Sequence, residues 1–424
     1  MNGEKRVVIL GGGFAGLYLA KSLANRDVRV VLIDRTNHHL FQPLLYQVAT
    51  AALSASDIAA PIRSVLSHAK NVEVLMAEAV AVDVEARSVA LADQSSIGYD
   101  YLVVATGARH SYFGKPGWES LAPGLKTIED AMEIRRRVLM AFEQAEREAD
   151  PVVRQRHLTF VVVGGGATGV ELAGALAELR KFALRRDFRR IDSRDATVLL
   201  LEGGPRLLPS YPPELSQRAK NTLRNLGVDV RTETLVTTIE PGFVGAAEWR
   251  IPSNTVIWAA GNQASPLLAS LGAPLDRQGR VLVEPDCSVP GRPEILVLGD
   301  AAAYTHQPGL AAVPSICPAA MQMGEHASRV IQADLAGKPR EPFRYRDKGQ
   351  LAVIGRGQAV ADLGRIKTGG FIAWFLWIFV HIFFLIGFRT RLLVMIEWAW
   401  SYVTLQRGAR LITGSWRQPG SSAG

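Results

Sequence analysis

The chain has 424 residues, of which 48% are hydrophobic and 21% charged, with a formal net charge of +8. That balance excludes a disordered chain and predicts two or three domains at about 100–200 residues each. The basic surplus leaves nucleic acid, an anionic membrane surface or anionic ligands open until the charge is located.

Residues 1–6 run directly into an apolar stretch at 7–10, which leaves no room for a signal peptide and makes a cytosolic location the starting expectation. The stretch 7–10 predicts a short buried strand. Gly11-Gly12-Gly13-Phe14-Ala15-Gly16 follows, then a helix over 17–25 and a second strand over 28–33 closed by Asp34. This order predicts a βαβ unit on a parallel sheet. The first glycine permits the tight turn, the second lets backbone approach a pyrophosphate, and the third allows close helix–strand packing. Asp34, 18 residues after Gly16, is placed to accept hydrogen bonds from a ribose. His38 and His39 have no Cys, Asp or Glu partner at metal spacing, so they read as loop residues and no metal is expected.

Strand-like runs recur at 72–76, 80–84 and 89–91, and a strand over 101–104 ends in Ala105-Thr106-Gly107. A Pro/Gly connector at 114–117 leads to a long helix over 128–148. The opening pattern then returns: an apolar strand at 158–163, Gly164-Gly165-Gly166-Ala167-Thr168-Gly169, and a helix over 170–184. A strand at 197–201 is closed by Glu202, 33 residues beyond Gly169. A basic helical extension over 180–190 would absorb that excess. An acid here favours NADH over NADPH, although Arg206 nearby keeps the 2′-phosphate open. Trp258-Ala259-Ala260-Gly261 repeats the strand–Gly ending, and a strand over 294–298 ends in Gly299-Asp300, suited to a ribityl chain.

Past residue 343 the character changes. Residues 371–388 carry no charge and contain His381, and five of the eight tryptophans lie from Trp374 to Trp416. Residues 361–424 hold seven Lys/Arg against two acids, a net +5, so the basic surplus belongs mainly to this apolar tail. A Trp-rich basic helix pair lying in a membrane interface fits this composition, with a buried core or dimer helix as the alternative. Nucleic acid is not expected. Cys287 and Cys317 form no close dithiol pair or disulfide framework.

Two dinucleotide motifs in one chain predict electron transfer between a nicotinamide and a flavin. Together with His39-Leu40-Phe41-Gln42-Pro43-Leu44-Leu45-Tyr46-Gln47, Val170-Glu171-Leu172-Ala173 and Ala320-Met321-Gln322-Met323-Gly324, they resemble the type II NADH:quinone oxidoreductases. The resemblance covers essentially the whole chain. It implies an α/β protein with two Rossmann-like dinucleotide-binding domains plus a C-terminal amphipathic helical membrane-anchoring region. The expected division is an FAD domain at 1–112 and 291–342, an NADH domain at 113–290 and an anchoring and quinone-site region at 343–424.

The implied cofactors are non-covalent FAD and, as substrate, NADH. Beyond the glycine motifs, acids and strand endings above, the resemblance implies cofactor contacts from Arg35, Gln42, Ala79, Cys317, Pro318 and Lys367. It implies Glu171 as the catalytic or nicotinamide-positioning carboxylate, near where nicotinamide and flavin should stack. The alternative is an acid favoured by the helix dipole. The quinone is expected beside Pro318 and Gln322. Pro318 replaces the Gln that the family often carries there, which removes one side-chain contact. The paucity of cysteines weighs against sulfide:quinone oxidoreductase, a related flavoprotein. The expected setting is the cytoplasmic face of a bacterial inner membrane, as a peripheral protein and a homodimer. A reductase of a soluble carrier such as a ferredoxin, or a redox-sensing nucleotide binder, stays open beside it.

Overall fold

The computed structural model describes residues 4–404 and 407–413; Trp416 lies outside them. The chain divides into two compact units.

The first unit takes residues 4–40, 59–111 and 262–348. Its sheet runs in the order Ser288–Val289, Arg292–Val297, Tyr101–Val104, Arg6–Leu10, Arg29–Asp34 and Val72–Met76. The central pairings are parallel, with Val7 opposite Val30 and Tyr101. Val7, Val8 and Ile9 are completely buried, which explains an unbroken β-branched run instead of an alternating one. The helix Phe14–Ser22 starts directly after Gly13 and packs along Cys317–Leu335. Gly324 makes that approach possible, because a Cβ there would collide with the Ala15 carbonyl oxygen.

The second unit takes residues 41–58, 112–261 and the described residues from 349 on. Its parallel sheet has the order Val228–Arg231, Thr197–Leu201, Thr159–Val163 and Thr255–Trp258. The helix Ala167–Glu178 packs on it and widens into a π-turn at Leu179–Ala183. Thr127 caps the long helix Ile128–Arg147 through a reciprocal bond with Asp130. The C-terminal part forms three antiparallel strands, Gln350–Gly355, Gln358–Asp362 and Lys367–Gly370, then the helices Phe371–Phe384 and Phe388–Thr404.

These bounds depart from the division expected from sequence. Residues 262–290 lie in the first unit, where Asn262–Ala264 pairs with Ala108–His110. Residues 41–58 lie in the second, where Leu45–Ala49 packs on Ile128–Arg147 and Ala167–Glu178. The described residues from 349 on pack into the second unit, where Gly174 lets Ala167–Glu178 close against the Ile354 carbonyl oxygen. The expected helix over 180–190 also stops early. Beyond Ala183 the chain turns, and the Glu146 carboxylate accepts from the backbone N–H groups of Arg189, Arg190 and Ile191.

Candidate functional site

In the first unit the glycine loop follows the central strand. Gly11 adopts φ +104° and donates to the Ile33 carbonyl at 2.8 Å, and a Cβ on it would strike the Ala105 carbonyl oxygen. A Cβ on Gly16 would strike the Gly11 oxygen, whereas Gly13 faces open space. Gly13 caps Phe14–Ser22 without a side chain, so the first N–H groups of the helix remain available to an anion.

Asp34 organises this loop. One carboxylate oxygen accepts from Gly12 N–H at 2.6 Å, the other from the N–H and hydroxyl of Thr36. A carboxylate has about four lone-pair positions, so one remains for a ribose hydroxyl. The register that sets Val297 opposite Val104 carries Gly299-Asp300 and Thr106-Gly107 to the same carboxyl edge of the sheet as the glycine loop. In open α/β sheets that edge is where ligands bind. Gly299 sits against the Cβ atoms of Ala320 and Ala15, near the start of Cys317–Leu335. Ala79 opens the strand Ala79–Asp83 and Arg35 is exposed beyond Asp34.

His39, read from sequence as a loop residue, packs against this cradle. Its Nδ1 donates to the Gly12 carbonyl at 3.0 Å and its ring meets Phe14 edge-on at 4.9 Å. Burial lowers its pKa, so the ring is neutral and Nε2 is an acceptor, buried without a partner. The Thr106 hydroxyl is likewise buried and unpaired. An open glycine cradle beside two orphaned polar groups fits a flavin dinucleotide.

Gln322 points elsewhere. Its amide donates to the Arg346 carbonyl and accepts from Arg346 N–H. Pro318 lies in the first turn of its helix, where the missing N–H costs nothing.

The second unit repeats the cradle. Gly164 has φ +111° and donates to Leu201, a Cβ on Gly169 would strike the Gly164 oxygen, and Gly166 faces open space. Glu202 takes the part of Asp34, accepting from Gly165 N–H at 2.5 Å and Gly204 N–H at 2.6 Å. Ala260 and Gly261, the latter at φ +72°, follow the adjoining strand. Arg206 is spent inside the loop, donating to the carbonyls of Tyr211 and Pro209.

Glu171 is the fifth residue of Ala167–Glu178 and lines a cavity of about 90 Å³. Its carboxylate accepts one long bond, 3.4 Å from Val353 N–H, and burial raises its pKa to about 8. Desolvation thus outweighs any help that the helix dipole gives the charged form. Tyr46, Gln47 and Trp398 join it as a chain: the Trp398 indole donates to the Gln47 carbonyl, whose amide nitrogen donates to the Tyr46 hydroxyl.

The tail charge is less available than composition implied. Arg407 is buried and donates to the Thr50 and Ala175 carbonyls, Arg410 pairs with Asp187, and Arg391 donates to Phe383 and Leu385. Arg365 and Lys367 remain exposed, and on the outer face of Phe371–Phe384 the residues Phe371, Phe375, Phe379 and Phe383 are each 60–67% exposed. The inner face holds Trp374, Trp377 and His381, whose ring stacks on Trp377 and is held neutral by burial, its pKa near 4. Gln42, in the second unit, donates to the Lys126 carbonyl. No helix among the described residues is long and apolar enough to cross a membrane.

Residues 5–324 match the pyridine nucleotide-disulphide oxidoreductase family and residues 348–404 the NDH2 C-terminal domain. The Type II NADH:quinone oxidoreductase Ndh of Mycobacterium tuberculosis is 44% identical over 96% of this chain and 90% of its own length. Among solved structures, NDH2 from Plasmodium falciparum in complex with NADH superposes with a TM-score of 0.86 at 21% identity, covering 94% of this chain and 98% of that one. The sulfide:quinone oxidoreductase of Aquifex aeolicus shares the fold at a TM-score of 0.73 and 21% identity, covering 91% of each chain.

Proposed function

This chain belongs to the type II NADH:quinone oxidoreductases, the NADH dehydrogenases that do not pump protons, and from that premise we propose how its residues divide the work. FAD is the flavin, held without a covalent bond by the Gly11–Gly16 loop, Asp34, His39, Thr106-Gly107 and Gly299-Asp300. The carrying observation is the pair of orphaned groups, His39 Nε2 and the Thr106 hydroxyl, beside an uncapped glycine cradle. The flavin, when bound, accepts hydride from a nicotinamide and yields its two electrons to a quinone.

NADH occupies the Gly164–Gly169 loop, with Glu202 toward the adenosine ribose. Two oxygens of Glu202 hold Gly165 and Gly204, so a 2′-phosphate would meet a carboxylate. Arg206 cannot relieve that without leaving two carbonyls, so NADPH is a poor substrate. Glu171 holds a proton at neutral pH and supplies it to quinone reduction. Pro318 offers quinone only backbone and apolar contact, and Gln322 reaches it only by leaving Arg346.

The outer face of the C-terminal helices rests in the membrane interface, on the cytoplasmic side of a bacterial inner membrane. Arg365 and Lys367 face anionic headgroups, and association as a homodimer leaves that face free. At 14 residues, Phe371–Phe384 is about 21 Å long, short of the ~30 Å hydrocarbon core. Adding NADH to the purified protein should bleach the flavin, and adding quinone should restore its colour. Bleaching with no quinone-driven recovery would sink the acceptor assignment.

A further inference from the structure

The cavity beside Glu171 extends away from it along one face of a helix. Glu171, Ala175 and Glu178 all line it, spaced by four and three residues. That spacing is two helical turns, so the two glutamates leave the helix about 10 Å apart along its axis with a small residue between them. The far end approaches solvent: the Glu178 side chain is 20% exposed, and Phe182 at the rim is exposed. Glu178 is held there by Arg356 N–H and by Arg407, whose guanidinium lies 3.5 Å away.

The space between is polar enough for water. The Trp377 indole N–H lines it, buried and without a hydrogen-bond partner, and the Gln47–Tyr46 pair lines it near Glu171. A volume of about 90 Å³ holds roughly three waters at ~30 Å³ each. Three waters in file make four hydrogen bonds of about 2.8 Å, enough to span that axial rise.

We propose that Glu178 is the entry of a water-filled proton route that crosses this cavity and reloads Glu171. The route rests on the quinone reductase reading above. NADH and quinone give NAD⁺ and quinol only with one proton from solvent. Hydride carries two electrons and one hydrogen, and the second quinol hydrogen enters through Glu178, the waters and Glu171. The titratable and charged groups facing the cavity are Glu171 and Glu178 from the helix, Tyr46, Arg356, Tyr402 and Arg407. Tyr46 and Tyr402 are both pushed upward by burial and stay protonated. They can pass a hydrogen bond along but cannot store the proton. Arg356 and Arg407 hold Glu178 in place as positioning residues, each also tied to backbone carbonyls.

Stopped-flow reoxidation of the NADH-reduced, full-length protein by a short-chain quinone, between pH 6 and 9, tests the route. Glu178→Gln should slow reoxidation at least tenfold above pH 8, and by less than threefold at pH 6, relative to NADH bleaching of the same variant. Ala175→Val narrows the file without touching a charge and should slow reoxidation several-fold with the same pH dependence. Trp377→Phe should do so about threefold. A folded Glu178→Gln protein with the wild-type pH profile overturns the route. Should that variant not fold, wild-type profiles in both Ala175→Val and Trp377→Phe overturn it. Failure of the wild-type protein itself to reoxidise overturns the functional reading and the route with it.

Discussion

The two glycine cradles are built alike. In each, a glycine at strongly positive φ closes the turn, the last glycine seats the helix against the carbonyl of the first, and an acid from the next strand binds the N–H of the second. They differ in what each helix packs on. Phe14–Ser22 lies on another helix through Gly324, whereas Ala167–Glu178 lies on a strand from the end of the chain through Gly174. Two residues past the last glycine stand Tyr18 in one and Glu171 in the other. The repeat therefore fixes the shape of each loop, and the packing partner fixes which side chains stand beside it.

The sharpest way to break the comparison is at the two closing glycines. Gly16→Ala forces a Cβ onto the Gly11 carbonyl oxygen, and the protein should purify without flavin. Gly169→Ala does the same at Gly164 and should keep its flavin while KM for NADH rises more than tenfold. Flavin absorbance and NADH titration read both. Loss of flavin from Gly169→Ala would show that the cradles are not independent.

Glu171→Gln should come next, slowing quinone-driven reoxidation at least tenfold with flavin content intact. It should also change the pH dependence of stability. An acid whose folded pKa is about 8 against an unfolded value near 4.3 binds more protons folded than unfolded between those pH values. Stability is therefore lost as pH rises from about 4.3 to 8. Thermal melting from pH 5 to 8.5 should fall less steeply for the variant than for the wild type.

His39→Phe should weaken flavin binding roughly tenfold, about 1.4 kcal/mol, since it removes one acceptor and the bond to Gly12. Retention of flavin through dialysis, equal to wild type, would take His39 out of the site. The smallest effect is expected at the outer face of Phe371–Phe384. Replacing Phe375 and Phe379 with Ser should lower binding to anionic vesicles several-fold while NADH bleaching is unchanged. Unaltered vesicle binding would assign that face to something other than lipid.

Much of this was legible locally. Gly11 and Gly16, with Asp34 behind them, pointed to a tight strand-to-helix turn because only glycine tolerates that φ and that approach, and the second copy repeats the pattern. The overlong spacing to Glu202 was legible too, but not its content, because residues 189–191 are held by Glu146 from a distant helix rather than by helix propensity.

Composition placed a +5 balance in the tail and read it as charge for a membrane. Arg391, Arg407 and Arg410 are instead turned toward backbone carbonyls and Asp187. Sequence determined the two cradles, their order and the apolar character of the tail, since each rests on contacts within a few turns of chain. Tertiary structure alone decided that residues 41–58 and the tail close over Ala167–Glu178, and so set Glu171 as a half-buried acid of raised pKa facing a cavity. Desolvation depends on what covers a group, and here the cover comes from residues more than a hundred positions away.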